Sequence, residues 1–192
     1  MLRAALECFA ELGYDATRVR HIAERAGVSE AALYRHFPSM EALGQELHDR
    51  YYRMYVAQLQ EATSVGTTEE RLRQGVRATL AFYRAEPAAF TFAVLRLHTF
   101  APQLPDGTVH AVDVLVAVIA AGQRKRELRA GQPLLLAGIF IGCVLRPIIL
   151  ATLTGADALD LRTESKHDRV IEDAAFAAVR REATPSSRPA RP

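Results

Sequence analysis

Apolar residues recur along this chain with the three-to-four-residue spacing of amphipathic helices, while glycines, prolines and short polar segments separate the apolar stretches. The aromatic spacing near Phe90 and Phe92 would also allow a strand, but no partner strand is visible. The pattern therefore predicts an all-α chain. We expect helices at Leu2–Leu12, from an N-cap at Thr17 to Ala26, from an N-cap at Ser29 to Phe37, and at Met40–Gln60, Thr68–Glu86, Ala88–Phe100, Asp106–Leu128, Leu134–Leu153 and His167–Glu182.

The stretch TRVRHIAERAGVSEAALYRHF, residues 17–37, predicts two short helices joined by a tight turn. Gly27 follows the last apolar position of the first helix, and glycine adopts a left-handed conformation at little steric cost. Ser29 is a suitable N-cap for the second helix. In that helix Leu33 and Phe37 share the inner face. This is the spacing of a DNA-binding helix-turn-helix, although an ordinary pair of packed helices has the same spacing.

Three segments in the first fifty residues, F-A-x-x-G-Y-x-A-T, I-A-x-x-A-G-V-S and L-Y-x-H-F, closely resemble the N-terminal domain of TetR-type transcriptional regulators. The resemblance implies a three-helix DNA-binding head, a variable all-helical body, and a homodimer that represses transcription until a small molecule binds. It divides the chain into a head at residues 1–45 and a body for ligand binding and dimerisation at 46–183. Residues 184–192 are rich in proline and serine, which predicts a disordered tail.

The resemblance also places particular side chains at the DNA backbone. Arg18 and Arg20 stand at the front of the second helix, where arginine forms charge-assisted hydrogen bonds to phosphate. Tyr34 and His36 match positions that hold the phosphate backbone. The complete predicted DNA-binding set is Arg18, Arg20, Ser29, Glu30, Ala31, Ala32, Tyr34, Arg35 and His36.

These residues define the contacts to bases less completely than the contacts to phosphate. Ala31 and Ala32 match the positions nearest the bases, where their methyl groups could pack against thymine methyls. Arg35 has the chemistry to read guanine, but it could also point to solvent. Glu30 could accept a hydrogen bond from cytosine, or it could only favour the helix dipole. The sequence therefore predicts DNA binding without predicting an operator sequence.

Met40 departs from the TetR-type pattern, which commonly has a phosphate-contacting lysine at that position. We expect the departure to remove about one phosphate contact per subunit. The chain also starts almost inside its first helix, whereas TetR-type regulators usually have a further turn before it. These two features support an alternative function, a helical sensing or assembly protein whose head has lost specific DNA binding.

Charge and motif content narrow the possible classes of protein. The whole chain has a net charge of +2, and its first fifty residues carry six arginines against eight carboxylates, so DNA binding depends on the positions of the cations. Cys8 and Cys143 are far apart, which predicts reduced thiols in a cytoplasmic protein. The sequence has no phosphate-cradling glycine loop, hydrolase motif or metal-ligand cluster. We expect no enzymatic activity, cofactor or metal.

Residues 134–153, LLLAGIFIGCVLRPIILATL, are long and apolar enough to span a bilayer. Arg146 inside this run argues against a membrane span, as does Pro147. A helix that is apolar all round also suits a dimer core, and Gly138 and Gly142 would permit close approach of a second helix. We therefore expect a homodimer through the last two helices, as the resemblance implies, and no membrane association.

The sequence also predicts an effector site in the body. The body would hold an apolar or amphipathic ligand among aromatic side chains with a few polar groups, and ligand binding would release a repressor from a palindromic operator. Arg146 within an apolar run needs a partner, either an internal carboxylate or an anionic ligand. The aromatic residues could equally be simple core. The candidate ligand-binding residues are Phe82, Tyr83, Phe90, Arg96, Phe100, Cys143 and Arg146.

Overall fold

The computed structural model describes residues 1–95, 109–155 and 157–182. These residues form an all-α structure, as the helical periodicity of the sequence predicts. The described helices are α1 (Leu2–Leu12), α2 (Val19–Ala26), α3 (Glu30–His36), α4 (Met40–Ala62), α5 (Thr68–Ala85), α6 (Pro87–Phe90, continued by a π-helical turn at Thr91–Leu95), α7 (Ala111–Arg124), α8 (Pro133–Thr154) and α9 (Asp168–Val179). The predicted tail and the second half of the predicted helix Ala88–Phe100 lie outside the described residues.

The head, formed by α1 to α3, packs around buried Leu6, Phe9, Ile22 and Leu33. Gly27 ends α2 with a φ of 66°, the left-handed conformation that the sequence predicts. The Ser29 hydroxyl accepts a hydrogen bond from the Ala32 N–H at 3.1 Å and caps α3. The turn between α2 and α3 therefore has the predicted chemistry.

The predicted N-cap of α2 at Thr17 is wrong by one residue. The N-cap is Arg18, whose backbone N–H donates to His21 Nδ1 at 3.1 Å. Thr17 is buried instead, and its hydroxyl donates to the Gly13 carbonyl at 2.6 Å. That hydroxyl closes the turn after α1, so it is not available to cap α2.

The body surrounds a group of aromatic rings. Tyr55 of α4, Phe82 and Tyr83 of α5 and Phe90 of α6 are all buried. Their ring centroids lie 5.4 to 6.3 Å apart, in tilted or edge-to-face contact. The Tyr55 hydroxyl is 3.1 Å from the Thr79 hydroxyl, and burial raises the pKa of Tyr55 to about 12. Aromatic packing of this kind favours a filled interior.

Two predicted helix ends differ from the structure for one shared reason. The helix predicted to reach Leu128 ends at Arg124, and the helix predicted to reach Glu182 ends at Val179. Beyond these ends, Leu128 and Arg180 form an isolated antiparallel bridge, and the Arg129 N–H donates to the Val179 carbonyl at 3.0 Å. Buried Leu128 stabilises this pairing, which replaces one helical turn at each end.

Ion pairs connect α9 to α5. Arg77 donates two hydrogen bonds of 2.8 Å to the buried carboxylate of Glu172, and these raise the pKa of the guanidinium. Arg84 binds Asp168 at 2.8 Å, and also donates to the Leu161 and Glu164 carbonyls. Arg84 therefore holds the loop before α9 against α5.

Helix α8 is the one helix in the described ranges that is long and apolar enough to cross a membrane, with a mean hydropathy of 2.4 in its most apolar window. One side of α8 is core, with Phe140 and Ile148 buried. The opposite side is exposed and mostly apolar, and it includes Leu135 at 59% and Leu153 at 75% exposure. A single chain therefore leaves half of its most apolar helix uncovered.

His48 of α4 is fully buried, and its ring stacks on Tyr52 with centroids 5.4 Å apart. Burial lowers the pKa of this imidazole, and the Asp49 carboxylate, 3.6 Å from Nδ1, only partly opposes that shift. An unfolded histidine titrates near about pH 6.5. Between that pH and the lower folded pKa, the unfolded chain binds the additional proton. The free energy of unfolding should therefore decrease as the pH falls below about 6.5.

We expect His48→Phe to remove this part of the pH dependence, which amounts to at most about 1.4 kcal/mol per pH unit. Urea unfolding between pH 7 and pH 5 measures the slope. The variant His36→Gln, at an exposed histidine, should keep the slope of the unmodified chain. Equal slopes for His48→Phe and the unmodified chain would contradict the prediction.

Candidate nucleic-acid interface

The outer face of α3 projects from the head. Ala31, Arg35 and His36 are exposed, and the Tyr34 side chain is 50% exposed. Ala32 is only half-buried, so its methyl group is less available to bases than that of Ala31. An exposed aromatic ring beside two basic side chains on a short helix can approach a polyanion without rearrangement of the core.

Arg18, Arg20, Glu30 and Tyr34 come together around one concave surface of about 630 Å³, here called the groove. The groove lies between the start of α2, the start of α3 and the start of α4. Met40 also lines it. The structure thus brings four of the nine predicted DNA-binding residues into one surface, while Ser29, Ala31, Ala32, Arg35 and His36 do not line it.

The cations of the head fall into two groups. Arg25 of α2 does not line the groove and forms an ion pair with Glu11, which raises the pKa of Arg25. Arg20 and Arg35 have no carboxylate within ion-pair distance among the described residues. Arg18 donates to the Asp15 carbonyl at 2.8 Å, which fixes its side chain near the groove. Arg18 and Arg20, the two arginines that line the groove, form no ion pair among the described residues and are therefore available to an external anion.

The groove also contains residues that sequence reasoning missed. Tyr14, Asp15 and Glu41 line it with the predicted residues. The Tyr14 hydroxyl donates to the Met40 carbonyl at 3.4 Å, and burial raises its pKa. Tyr14 belongs to the G-Y pair of the segment F-A-x-x-G-Y-x-A-T. That pair was the feature of the sequence that could have identified Tyr14 as a residue of the groove. The carboxylates of Asp15 and Glu41 repel anions. An anion is therefore expected to bind in the groove only where it contacts the arginines directly.

The predicted ligand-binding residues do not form an open pocket in the described part of the body. Phe82, Tyr83 and Phe90 are brought together in the aromatic core. The neighbouring cavity has a volume of about 20 Å³ and is lined by Tyr55, Thr79 and Phe140 among others. That volume suits about one water molecule, whereas a drug-sized ligand needs roughly 300–1,000 Å³.

The remaining ligand-binding predictions have different positions. Cys143 is half-buried on α8 and does not line the cavity, and Arg146 is exposed on the outer side of the same helix. Arg146 has no internal carboxylate partner among the described residues. Arg96 and Phe100 lie outside the described residues. The role of this set in ligand binding stays a prediction.

Sequence comparison identifies proteins similar to this chain. The sequence model described as "Bacterial regulatory proteins, tetR family" matches residues 1–47. The HTH-type transcriptional regulator RutR of Escherichia coli is 30% identical over 137 residues, which are 69% of this chain and 65% of RutR. The HTH-type transcriptional activator FasR of Mycolicibacterium smegmatis is 31% identical over 105 residues, 54% of this chain and 48% of FasR. The chain thus spans less than two thirds of the length of these relatives.

Solved structures show the same fold over nearly the whole chain. The transcriptional regulator FadR from Bacillus subtilis, in complex with stearoyl-CoA, has a TM-score of 0.76 at 18% identity, covering 92% of this chain and 96% of FadR. The TetR family transcriptional regulator PfmR from Thermus thermophilus has a TM-score of 0.70 at 20% identity, covering 92% of this chain and 95% of PfmR. At these identities the likeness concerns the fold.

Proposed function

We propose, from the premise that this chain belongs to the tetR family of bacterial regulatory proteins, that it is a cytoplasmic DNA-binding transcriptional regulator. The observation that carries the proposal is the groove, where Arg18, Arg20 and Tyr34 surround a concave surface beside the exposed face of α3. In a helix-turn-helix, this second helix enters the major groove and the first crosses the backbone. Phosphate would supply the anionic partner that Arg20 lacks among the described residues, where it donates only to His21 Nε2 at 3.4 Å.

The working form in this proposal is a homodimer through α8 and α9. The exposed side of α8 includes Leu135, Ile139 and Leu153, and Val170 of α9 is 67% exposed. A Cβ atom added at Gly142 would meet no atom within 4 Å in the single chain. Apolar side chains beside an open glycine fit a second copy of these two helices. This apolar face of α8 and α9 is called the dimer face below.

Arg146 lies within the dimer face, and burying its charge there would cost free energy that the other contacts of the dimer have to offset. A guanidinium that loses water without an acceptor destabilises an interface. A second copy would therefore need to supply a carboxylate or backbone carbonyl near Arg146.

Regulation in this proposal is repression that a small apolar or amphipathic ligand relieves. Ligand binding would favour a body conformation in which the two heads no longer match half-sites about one helical turn, or a multiple, apart. The stearoyl-CoA held by FadR of the same fold supports the capacity of such a body to hold a ligand.

Selection of bound fragments from random DNA tests the proposed function directly. A DNA-binding regulator should enrich one palindrome, and its affinity should decrease steeply with salt because bound arginines release counterions. The half-site spacing then measures the separation of the heads. Absence of enrichment by the dimer would instead support the alternative of a sensing or assembly protein with an inactive head.

Met40 offers a gain-of-function test, because it lines the groove where the TetR-type pattern has lysine. We expect Met40→Lys to add about one phosphate contact per subunit. The slope of log affinity against log salt should then become steeper by about 0.9 per contact, or about 1.8 for a dimer. Met40→Gln adds no charge and is the matched control. An unchanged slope in Met40→Lys would show that the start of α4 does not approach the DNA backbone.

A further inference from the structure

A second opening lies where the head meets the body. This cleft has a volume of about 590 Å³ and lies between α1, the segment from Tyr83 to Phe92, and the C-terminal end of α8. Its walls are largely apolar, with Phe9 and Ala10 from the head and Ala88 and Phe92 from the body. The volume is within the range of small-molecule sites, unlike that of the interior cavity.

Tyr83 supplies the first polar group of the cleft. The residue is only 4% exposed and lines the cleft, while its ring packs edge-to-face on Phe90 at 5.4 Å. Its hydroxyl has no hydrogen-bond partner among the described residues. It is also not one of the fully buried polar atoms that lack a partner, so a molecule in the cleft can reach it.

Arg162 supplies the second polar group. It is exposed at the cleft and forms no ion pair within the described ranges. The Asp160 carboxylate accepts hydrogen bonds from the Thr163 hydroxyl and from the Thr163 and Arg162 N–H groups, which lower its pKa, and the charge of Arg162 lowers that pKa further without a close ion pair. Asp160 is therefore engaged with its own loop. Arg84 fixes that loop to α5 through the Leu161 carbonyl at 3.0 Å, so Arg162 is attached to an anchored segment.

The cleft has direct contact with the core of the head. Phe9 stacks on Phe92 with ring centroids 5.1 Å apart and an interplanar angle of 14°. Phe9 also packs against Tyr14 at 5.0 Å, and Tyr14 lines the groove. A molecule that separates Phe9 from Phe92 would thus move a ring that packs directly on the wall of the groove.

We propose that this cleft is the effector site and that it binds an amphipathic organic anion, with the apolar part against Phe9 and Phe92 and the acidic group near Arg162 and the Tyr83 hydroxyl. That the bound anion releases DNA rests on the proposed regulatory function. That the cleft binds such an anion does not depend on that function. An acidic ligand is favoured over a neutral one because an exposed guanidinium and a hydroxyl, neither with a close ion pair or hydrogen bond of its side chain in the described ranges, both stabilise a carboxylate or sulfonate.

Titration with 8-anilinonaphthalene-1-sulfonate, an amphipathic sulfonate that fluoresces in apolar sites, tests the binding. We expect one bound molecule per chain. Arg162→Gln should weaken binding about 5- to 10-fold and Tyr83→Phe about 2- to 5-fold. Ala10→Trp fills the cleft from an exposed position of α1 and should abolish binding. Arg181→Gln removes an exposed arginine far from the cleft, and the dissociation constant should not change.

Unchanged binding in both Arg162→Gln and Ala10→Trp would overturn the inference, since the probe would then occupy another surface such as the dimer face. Circular dichroism of each variant establishes that it is folded. DNA affinity of the full chain is measured separately with and without the probe. The ratio of the affinity without the probe to the affinity with it should exceed one for the unmodified chain and approach one for Ala10→Trp. Loss of all DNA binding would refute the proposed function alone, while normal DNA binding with no effect of the probe would refute the effector role of the cleft.

Discussion

Gly142→Phe should convert the proposed dimer into monomers and abolish its high-affinity operator binding. The position is open in the single chain, so a phenylalanine there does not disturb the protomer. In a dimer the added ring would lie between two helices that approach closely. Overpacking costs about 1–3 kcal/mol per site, and both copies carry the substitution. We expect dimerisation to weaken at least about 30-fold, as measured by sedimentation equilibrium. Operator affinity should decrease about 100-fold or more as the two heads lose their linkage.

The matched control is Gly142→Ala, which adds one methyl group to the same open position and favours the helix by about 1 kcal/mol. It should keep the dimer. Gly122→Ala provides the opposite case, since a Cβ atom there would lie 2.5 Å from Thr68 Cγ2. That variant should lower the unfolding temperature of the chain itself. Dimerisation of Gly142→Phe with unchanged affinity would place the interface on another surface.

Arg20→Ala should cause the second large loss, this time with the dimer intact. Arg20 lines the groove and has no carboxylate partner in the described ranges, so the variant removes the proposed DNA contact without breaking an internal ion pair. A hydrogen bond from arginine to phosphate contributes about 1–1.5 kcal/mol at an exposed site. Two such contacts per dimer predict about 30- to 160-fold weaker operator binding. The salt dependence should become shallower by about 1.8.

Arg25→Ala is the matched control, because it removes the same charge from the same helix. Arg25 is paired with Glu11, and neither residue lines the groove. Exposed ion pairs of this kind contribute little to stability. Both affinity and salt dependence should therefore stay close to those of the unmodified chain. Equal losses in Arg20→Ala and Arg25→Ala would indicate a general effect of charge and not a contact at the groove.

The sequence was most informative where a local rule decides the structure. Gly27 and Ser29 set the turn and the cap of the helix-turn-helix through their own conformational preferences. The bounds of α1 follow from apolar spacing and Gly13. The resemblance to TetR-type regulators, read from three short segments, is confirmed by the family match at residues 1–47. These features depend on residues that are neighbours in the chain.

Features that depend on distant residues were not predictable. The bridge between Leu128 and Arg180 shortens two helices, and neither local sequence signals it. Arg18, and not Thr17, is the N-cap of α2, because the Thr17 hydroxyl bonds back to Gly13 and His21 accepts from the Arg18 N–H instead. The filled aromatic interior and the cleft between head and body depend equally on tertiary packing. Apolar spacing predicts that Phe90 faces inward, but it does not predict how much empty volume remains beside the ring.

Phe9 belongs both to the core of the head and to the wall of the cleft, and this shared position has a thermodynamic consequence. If an anion in the cleft weakens operator binding by some factor through Phe9, bound operator must weaken anion binding by the same factor. Chains on the operator would then respond only at higher anion concentrations than chains free in solution. The dose at which transcription changes would accordingly depend on how many operator copies a cell carries.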